Sequence, residues 1–332
     1  MQDRPTEPYP VVMTADGTSS GLRPFGLGIS ISPSWTSEDE ADVALAVAQV
    51  ASQNHASVFM VGDKPGAGRE VRSNAVLLAW LLPHLVGVPR IGSLFLARQT
   101  HVDSLVIIAR TLCDLIRHTR ATPAIGLMRG RQAAGTDMPG PDLETAAAVL
   151  RGEPNIRDAE IWVGAEQGGA IDRAAQIADV WLANGYFGEQ ALLEQLRRFR
   201  LQASDRARTA VRRDFLCDPD SNKAHATLRQ MLADGYRGGK FDETVLIAGS
   251  PAECLERMAS TARLGFDDVL VRPAAEGPAA VEQFQMLFEE WRGAGDRNQP
   301  GRLGGDQVRP HGTPATRWAP VATCRTGARW PS

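Results

Sequence analysis

A glycine-rich turn, Glu166-Gln167-Gly168-Gly169, is the best candidate in this chain for binding an anion. It follows a short apolar run and precedes a predicted helix. The start of a helix offers unpaired backbone N–H groups and partial positive charge, and glycine lets a phosphate approach the backbone closely. We predict that Gln167, Gly168, Gly169 and Ala170 bind a cofactor phosphate. An ordinary strand-to-helix turn remains the alternative, since Glu166 would repel an anion unless it points away.

Two ionisable residues are candidates for catalysis. His101 stands where a helix is expected to begin, and an imidazole there could donate a hydrogen bond to a cofactor or a substrate. Asp63 ends a predicted strand, next to Lys64. A structural histidine and a surface turn are the alternative interpretations. The six histidines show no metal-ligand spacing, so no metal site is expected.

The elements that must position these residues alternate regularly between short apolar runs and amphipathic segments, which indicates parallel strands covered by helices. Eight such units favour a closed (β/α)8 TIM barrel, although an open, doubly wound sheet remains possible. The predicted strands span 25–32, 56–62, 90–97, 124–128, 159–164, 179–183, 210–216 and 267–271. The predicted helices span 38–53, 74–85, 102–117, 141–151, 170–178, 189–200, 221–232, 251–264 and 278–292.

The chain divides into a flexible leader at 1–23, the barrel at 24–292 and a disordered Gly/Pro/Arg-rich tail at 293–332. Residues 218–246 form an insertion between the seventh strand and the helix after it, either a lid over the barrel or a surface decoration. The formal net charge of -3 gives no reason to expect nucleic acid or an anionic membrane as partner. No signal peptide or membrane-spanning run is apparent, so we expect a cytoplasmic protein.

Three stretches together resemble the luciferase-like monooxygenases, a family of flavin-dependent oxygenases and deazaflavin-dependent dehydrogenases. One is 161–185, where a strand, a glycine turn and an alanine-faced helix lead to Asp179. The second is 246–273, with a Gly-Ser-Pro helix start at Gly249 to Pro251, where Ser250 suits an N-cap and Glu253 follows at the capping-box spacing. The third is 90–115. The resemblance covers residues 25–275 and implies a TIM barrel with its cofactor at the mouth.

The resemblance also implies a function. We expect an FMN-dependent monooxygenase that uses reduced FMN and O2 to oxygenate a small organic substrate, with a separate flavin reductase as a possible supplier of reduced flavin. It further implies that Leu94 and Phe95 contact the flavin, across a non-proline cis peptide bond that supports the ring. A homodimer is a further possibility.

Two alternatives remain open. The first is hydride transfer with a deazaflavin, which the Asp63-Lys64 pair mildly disfavours because family members of that kind often carry Asp-His. The second is a barrel that has lost catalysis and serves as a binding subunit. It is motivated by two departures from the family pattern, Met128 in place of a glycine and Val102 in place of a proline.

Overall fold

The structure is a computed structural model and describes residues 25–32, 40–62, 74–129, 141–236, 241 and 243–297. The strands are β1 (Gly26–Ile31), β2 (Phe59–Gly62), β3 (Arg90–Leu96), β4 (Thr122–Met128), β5 (Glu160–Gly164), β6 (Val180–Ala183), β7 (Arg208–Cys217), β8 (Ile247–Gly249) and β9 (Asp268–Pro273). The helices are α1 (Glu40–Gln53), α2 (Asn74–Leu81), α3 (Val102–His118), α4 (Leu143–Gly152), α5 (Gly168–Ile177), α6 (Glu189–Arg200), α7 (Ser221–Ala233), α8 (Pro251–Arg263) and α9 (Pro278–Arg297).

Eight parallel strands close into a barrel. The order runs from β1 through β7 to β9, and β9 pairs again with β1. The closing pairs are Gly26 with Asp268 and Ala210 with Asp268, on the two edges of β9. The prediction of a closed TIM barrel is therefore confirmed, and the open, doubly wound alternative is wrong. The carboxyl ends of all eight strands meet at one rim, which we call the mouth.

The ninth strand, β8, was not predicted from the sequence. β6 pairs with β7 only as far as Val211, which leaves the last residues of β7 without a neighbour on that edge. β8 pairs there, with Ile247 opposite Phe215 and Gly249 opposite Cys217. In the described residues, the insertion thus contains α7 and the segment that precedes β8. A three-residue strand carries too little periodicity to be recognised in a sequence.

One predicted boundary of the barrel domain can be compared with an element of the structure. Helix α9 continues to Arg297, five residues beyond its predicted end, so the predicted tail boundary at 293 falls inside a helix. The predicted leader and the rest of the predicted tail lie outside the described residues. Among the described residues, no helix is long and apolar enough to cross a membrane.

The barrel interior is a small apolar layer, separate from the larger core between strands and helices. Glycines make room for its large members: a Cβ on Gly126 would lie 2.1 Å from Leu94 Cδ2, and one on Gly28 would lie 2.3 Å from Val58 Cγ1. The interior side chains are those of Val58, Met60, Leu94, Ala124, Trp162, Val180, Leu182, Ala210 and Leu270. Alternate residues of the same strands face the helices, as strand geometry requires.

Below this layer, at the amino-terminal end of the barrel, an ionic network fills the interior. Arg90 donates to both carboxylate oxygens of Asp268, at 2.9 and 3.1 Å. Ser57 Oγ donates to Asp268 Oδ1 at 2.9 Å, and Arg208 contacts both Asp268 and Glu160. Asp268 is fully buried, so its charge is tolerated only because these donors surround it. Arg90 therefore has a structural role, at the end of the barrel opposite the mouth.

The predicted start of α8 is confirmed as a capping box. Ser250 Oγ accepts from the Glu253 backbone N–H at 3.4 Å, while the Glu253 carboxylate accepts from the Ser250 N–H at 2.7 Å. Hydrogen bonds from Ser221 and then from Ser250 lower the pKa of Glu253 to about 2. Since Ser221 begins α7, this carboxylate also ties the insertion to α8.

We predict that Asp268→Ala lowers the free energy of unfolding by about 3–5 kcal/mol, because it leaves two arginines inside the barrel without their shared carboxylate. Denaturant unfolding measures the change. Asp205→Ala removes an exposed carboxylate and serves as the control, with little expected effect. Equal losses in the two variants would show that the network contributes nothing particular to stability.

Candidate functional site

A cavity of about 440 Å3 opens at the mouth, over the carboxyl ends of β3 to β7. Its lining combines apolar side chains that point into the barrel with polar groups from the loops that follow β4, β5 and β6. The lining residues are Leu96, Met128, Arg129, Leu143, Gly164, Ala165, Glu166, Gln167, Ala170, Arg173, Leu182, Ala183, Asn184 and Arg212. Its volume lies within the range of about 300–1,000 Å3 that is usual for small-molecule sites.

The apolar floor of the cavity is formed by Leu96, Met128 and Leu182. Met128 packs against Gly164, where an added Cβ would lie 3.1 Å from Met128 Cγ. The Met128 side chain thus occupies the space that is free because Gly164 has no side chain. It narrows the mouth at β4 and β5, but the cavity beside it remains open.

The predicted phosphate-binding turn lies at the mouth, as expected for the end of β5. Helix α5 begins at Gly168, with Gln167 as its N-cap residue in extended conformation, and no side chain caps this helix. Gln167 and Ala170 line the cavity. The other two predicted residues, Gly168 and Gly169, are not among its lining residues. A Cβ on Gly168 would lie 3.0 Å from Arg198 Nη1, so this glycine lies close to α6.

Three arginines line the cavity close to this turn. Arg129 follows β4, Arg173 lies one turn into α5, and Arg212 points inward from β7. The acidic Glu166 also lines the cavity, where its Oε1 accepts from Asn184 Nδ2 at 2.5 Å, so the three arginines outnumber one carboxylate. The electrostatics of this side therefore favour an anion.

Arg173 and Arg212 were not predicted from the sequence as site residues. Arg212 lies on the inward face of β7 with Ala210 and Asp214, and the register with the neighbouring strands decides which face that is. Arg173 lies in a helix, and only the fold brings it over the cavity, so no sequence signal was available for it.

The mouth above β7 and β9 is closed by a buried ionic cluster. Arg272 donates from Nε to Asp214 Oδ1 at 2.8 Å and from Nη2 to Oδ2 at 2.6 Å. The hydroxyls of Tyr186 and Tyr236 also donate to Asp214 Oδ2, at 2.9 and 2.7 Å. Burial alone would lower the pKa of Arg272, but the charge of Asp214 outweighs it and raises the pKa. Tyr236 follows α7, so the cluster fastens the insertion to the barrel.

A second buried arginine, Arg213, points outward from β7 and holds the loop after β6. Its Nη1 donates to the carbonyl oxygens of Gly185 and Phe187, at 2.8 and 3.1 Å. Burial lowers the pKa of Arg213 to about 10, so it stays charged at neutral pH. The loop that it fixes carries Asn184, which lines the cavity.

The other predicted site residues are distributed differently. Leu94 faces the barrel interior beneath the mouth, whereas Phe95 faces outward and packs among the helices, away from the cavity. The expectation of a cis bond between them is wrong, because the described residues contain no cis peptide bond. Leu94 pairs with Gly126 and Phe95 pairs with Leu127 in the regular register of β3 and β4. An ordinary trans backbone is sufficient for this pairing.

The two catalytic candidates remain predictions. His101 is the N-cap of α3: its Nδ1 accepts from the Asp103 backbone N–H at 3.3 Å. About half of its side chain is exposed, and it is not part of the cavity lining. Asp63 lies outside the described residues. Within the described part of the chain, no cluster of three or more metal-ligating side chains occurs.

Comparison with solved structures identifies close matches in fold. Apo-MsnO8 superposes with a TM-score of 0.61 at 14% identity, covering 81% of this chain and 98% of that one. The coenzyme F420-dependent tetrahydromethanopterin reductase from Methanopyrus kandleri has a TM-score of 0.61 at 15% identity, covering 80% and 98%. The oxygenating constituent of 3,6-diketocamphane monooxygenase from Pseudomonas putida, in complex with FMN, has a TM-score of 0.57 at 13% identity, covering 80% and 98%.

These matches confirm, at the level of the fold, the resemblance to the luciferase-like monooxygenases. No protein-family model and no curated protein matches the sequence. At identities of 13–15%, the agreement concerns the path of the backbone, and the chemistry has to be argued from the side chains at the mouth.

We predict that Tyr236→Phe loosens the insertion without disturbing the barrel. The variant removes one hydroxyl that donates to a buried carboxylate, which corresponds to about 1.5–3 kcal/mol of local stability. Amide hydrogen exchange in α7 should accelerate accordingly, while exchange in β3 and β4, which serve as internal controls, stays unchanged. Uniform acceleration across the whole barrel would contradict a local fastening role.

Proposed function

We propose that this chain is an oxidoreductase that binds a flavin or deazaflavin at the barrel mouth, with reduced FMN as the first candidate and a small organic substrate. The observation that carries the proposal is the uncapped start of α5 beside Arg129, Arg173 and Arg212, at one side of an apolar-floored cavity. A fold shared with flavin- and F420-dependent proteins adds support, as an analogy.

The residues at the mouth fit such a cofactor. A flavin combines a planar, largely apolar ring with an anionic phosphate. The cavity likewise has an apolar floor and a side that carries arginines. Leu96, Met128 and Leu182 offer an apolar surface for the ring. The start of α5, where Gln167 and Ala170 line the cavity, offers together with the arginines positive charge for the phosphate.

The protein's contribution is to bind, orient and shield. The reduced flavin itself would supply the reactivity toward O2 that a monooxygenase needs. The apolar floor keeps water away from the ring, and the buried Asp214–Arg272 cluster gives the mouth a rigid wall. A separate flavin reductase would deliver the reduced cofactor, and His101 and Asp63 stay candidates for handling protons of the substrate.

A deazaflavin that transfers hydride is the second candidate, and the fold shared with an F420-dependent reductase supports it as an analogy. Cofactor titration with O2 measurement separates the two, since only an oxygenase consumes O2 with its reduced cofactor and substrate. If neither cofactor binds a protein that melts cooperatively, the barrel is a non-catalytic binding subunit and the proposal fails.

We predict that Ala170→Glu weakens binding of reduced FMN at least tenfold relative to Ala170→Gln, measured by anaerobic equilibrium dialysis. The two new side chains have nearly the same size, so the difference isolates a negative charge placed at the start of α5. Riboflavin, which lacks the phosphate, is the control ligand and should bind both variants alike. An equal effect on FMN and riboflavin would place the phosphate elsewhere.

We also propose that the chain forms a homodimer through α2 and α3. These helices contact each other and expose Val76, Trp80 and Ile107, which are 69%, 45% and 63% accessible. The α2 sequence NAVLLAWL contains no charged residue, so α2 can meet the α2 of a second copy across a two-fold axis without repulsion between like charges.

Trp80→Glu should convert the dimer to a monomer in light scattering after gel filtration, because it would bury a charge in the interface. Leu201→Glu alters a side chain that is 85% exposed elsewhere on the surface, and it should leave the dimer intact. A wild-type protein that elutes as a monomer, or equal behaviour of the two variants, would refute this interface.

A further inference from the structure

The layer of the barrel interior that faces the cavity contains a row of four residues on β3 to β6. Leu96 pairs with Met128, and Met128 pairs with Gly164. Gly164 pairs in turn with Leu182, and all four residues line the cavity. Gly164 has no side chain, so the row would have a gap at β5 unless a neighbour filled it.

The side chain of Met128 fills this gap. A Cβ on Gly164 would lie 3.1 Å from Met128 Cγ, 3.4 Å from its Cε and 3.8 Å from its Sδ, so the thioether lies along the glycine. Trp162 precedes Gly164 by two residues on β5 and therefore faces the same interior, one layer deeper. Trp162 is fully buried, whereas Met128 is only partly buried. Met128 therefore lies between the cavity and the layer of Trp162.

The deeper layer has little room of its own at β3 and β4. Leu94 occupies the space over Gly126, where an added Cβ would lie 2.1 Å from Leu94 Cδ2. The space over Gly164 is different, because the atoms that fill it belong to a side chain of the cavity lining. A packed interior leaves few voids, so a ligand gains this space only if the residue at position 128 is smaller. The side chain at that position therefore decides how deep the cavity is above Trp162.

We propose that Met128 is a specificity-determining residue, which limits the apolar body of a ligand to what fits above the row of Leu96, Met128 and Leu182. The inference rests on the proposed function and deepens it by restricting the substrate class. The substrate is a compact molecule whose apolar part ends above this row. A longer or branched apolar chain, which would need the space over Gly164, is excluded by contact with the Met128 side chain.

The test uses n-alkyl phosphates of increasing chain length, from ethyl to decyl phosphate, with the full chain in isothermal titration calorimetry. The phosphate is expected to bind at the start of α5, as in the proposed function, and the alkyl chain to extend over the apolar floor. Each methylene that reaches apolar surface should raise the affinity about fourfold. The affinity should stop rising at the length at which the chain meets Met128.

Variants locate the limit. Met128→Ala removes the side-chain atoms beyond Cβ, so the affinity should keep rising for about two methylenes more, and the longest alkyl phosphates should gain roughly tenfold. Met128→Leu keeps a similar size and should keep the wild-type limit. Gly164→Ala should shorten the limit, because its Cβ displaces Met128 toward the cavity. Met286→Ala, at a partly buried methionine of α9 outside the cavity lining, controls for a general loss of packing, and thermal melts accompany each variant.

Each outcome decides a different point. If Met128→Ala and the wild-type protein reach the same limit, or if affinity does not depend on chain length, the inference is refuted, while binding of reduced FMN leaves the proposed function standing. If Met128→Ala and Met128→Leu extend the limit equally, the size of the side chain is not its cause, and the inference is again refuted. If neither the alkyl phosphates nor reduced FMN bind, the proposed function fails and the size limit fails with it.

Discussion

The carboxylate of Asp268, buried among Ser57, Arg90 and Arg208, is the interaction on which the barrel depends. A closed ring of strands must fill its own interior, and an amino-terminal end filled with charge is stable only if every charge has a partner. β9, which begins at Asp268, is also the strand that closes the ring between β7 and β1. The residue that neutralises the arginines at the amino-terminal end of the barrel therefore belongs to the strand that closes the ring.

A second carboxylate determines where the mouth can be open. Asp214, with Arg272 and two tyrosines, occupies the interior above β7 and β9 and joins the insertion to the barrel. Because that side is filled, the cavity at the mouth lies over the ends of β3 to β6 and includes only Arg212 of β7. Gln167 and Ala170 at the start of α5 line this open side, so the packing that stabilises the insertion leaves them accessible.

The charge distribution around the cavity contrasts with that of the whole chain. The formal net charge is -3, yet three arginines and one carboxylate, that of Glu166, line the cavity at the mouth. A local positive field in a chain that is acidic overall would attract a small anionic ligand without favouring nonspecific binding to polyanions. The cavity therefore pairs the apolar floor of Met128 and Leu182 with a positively charged side.

The sequence by itself determined the eight-stranded barrel, the capping box at Ser250 and the position of the turn at 167–170, because each depends on local periodicity or on a short-range hydrogen-bond pattern. Only the tertiary structure decided which side chains share the cavity, since that depends on neighbours distant in the chain. It brought Arg173 and Arg212 to the mouth, turned Phe95 toward the helices and kept the Leu94–Phe95 bond trans. Inward or outward direction on a strand is fixed by register, which no single segment of sequence encodes.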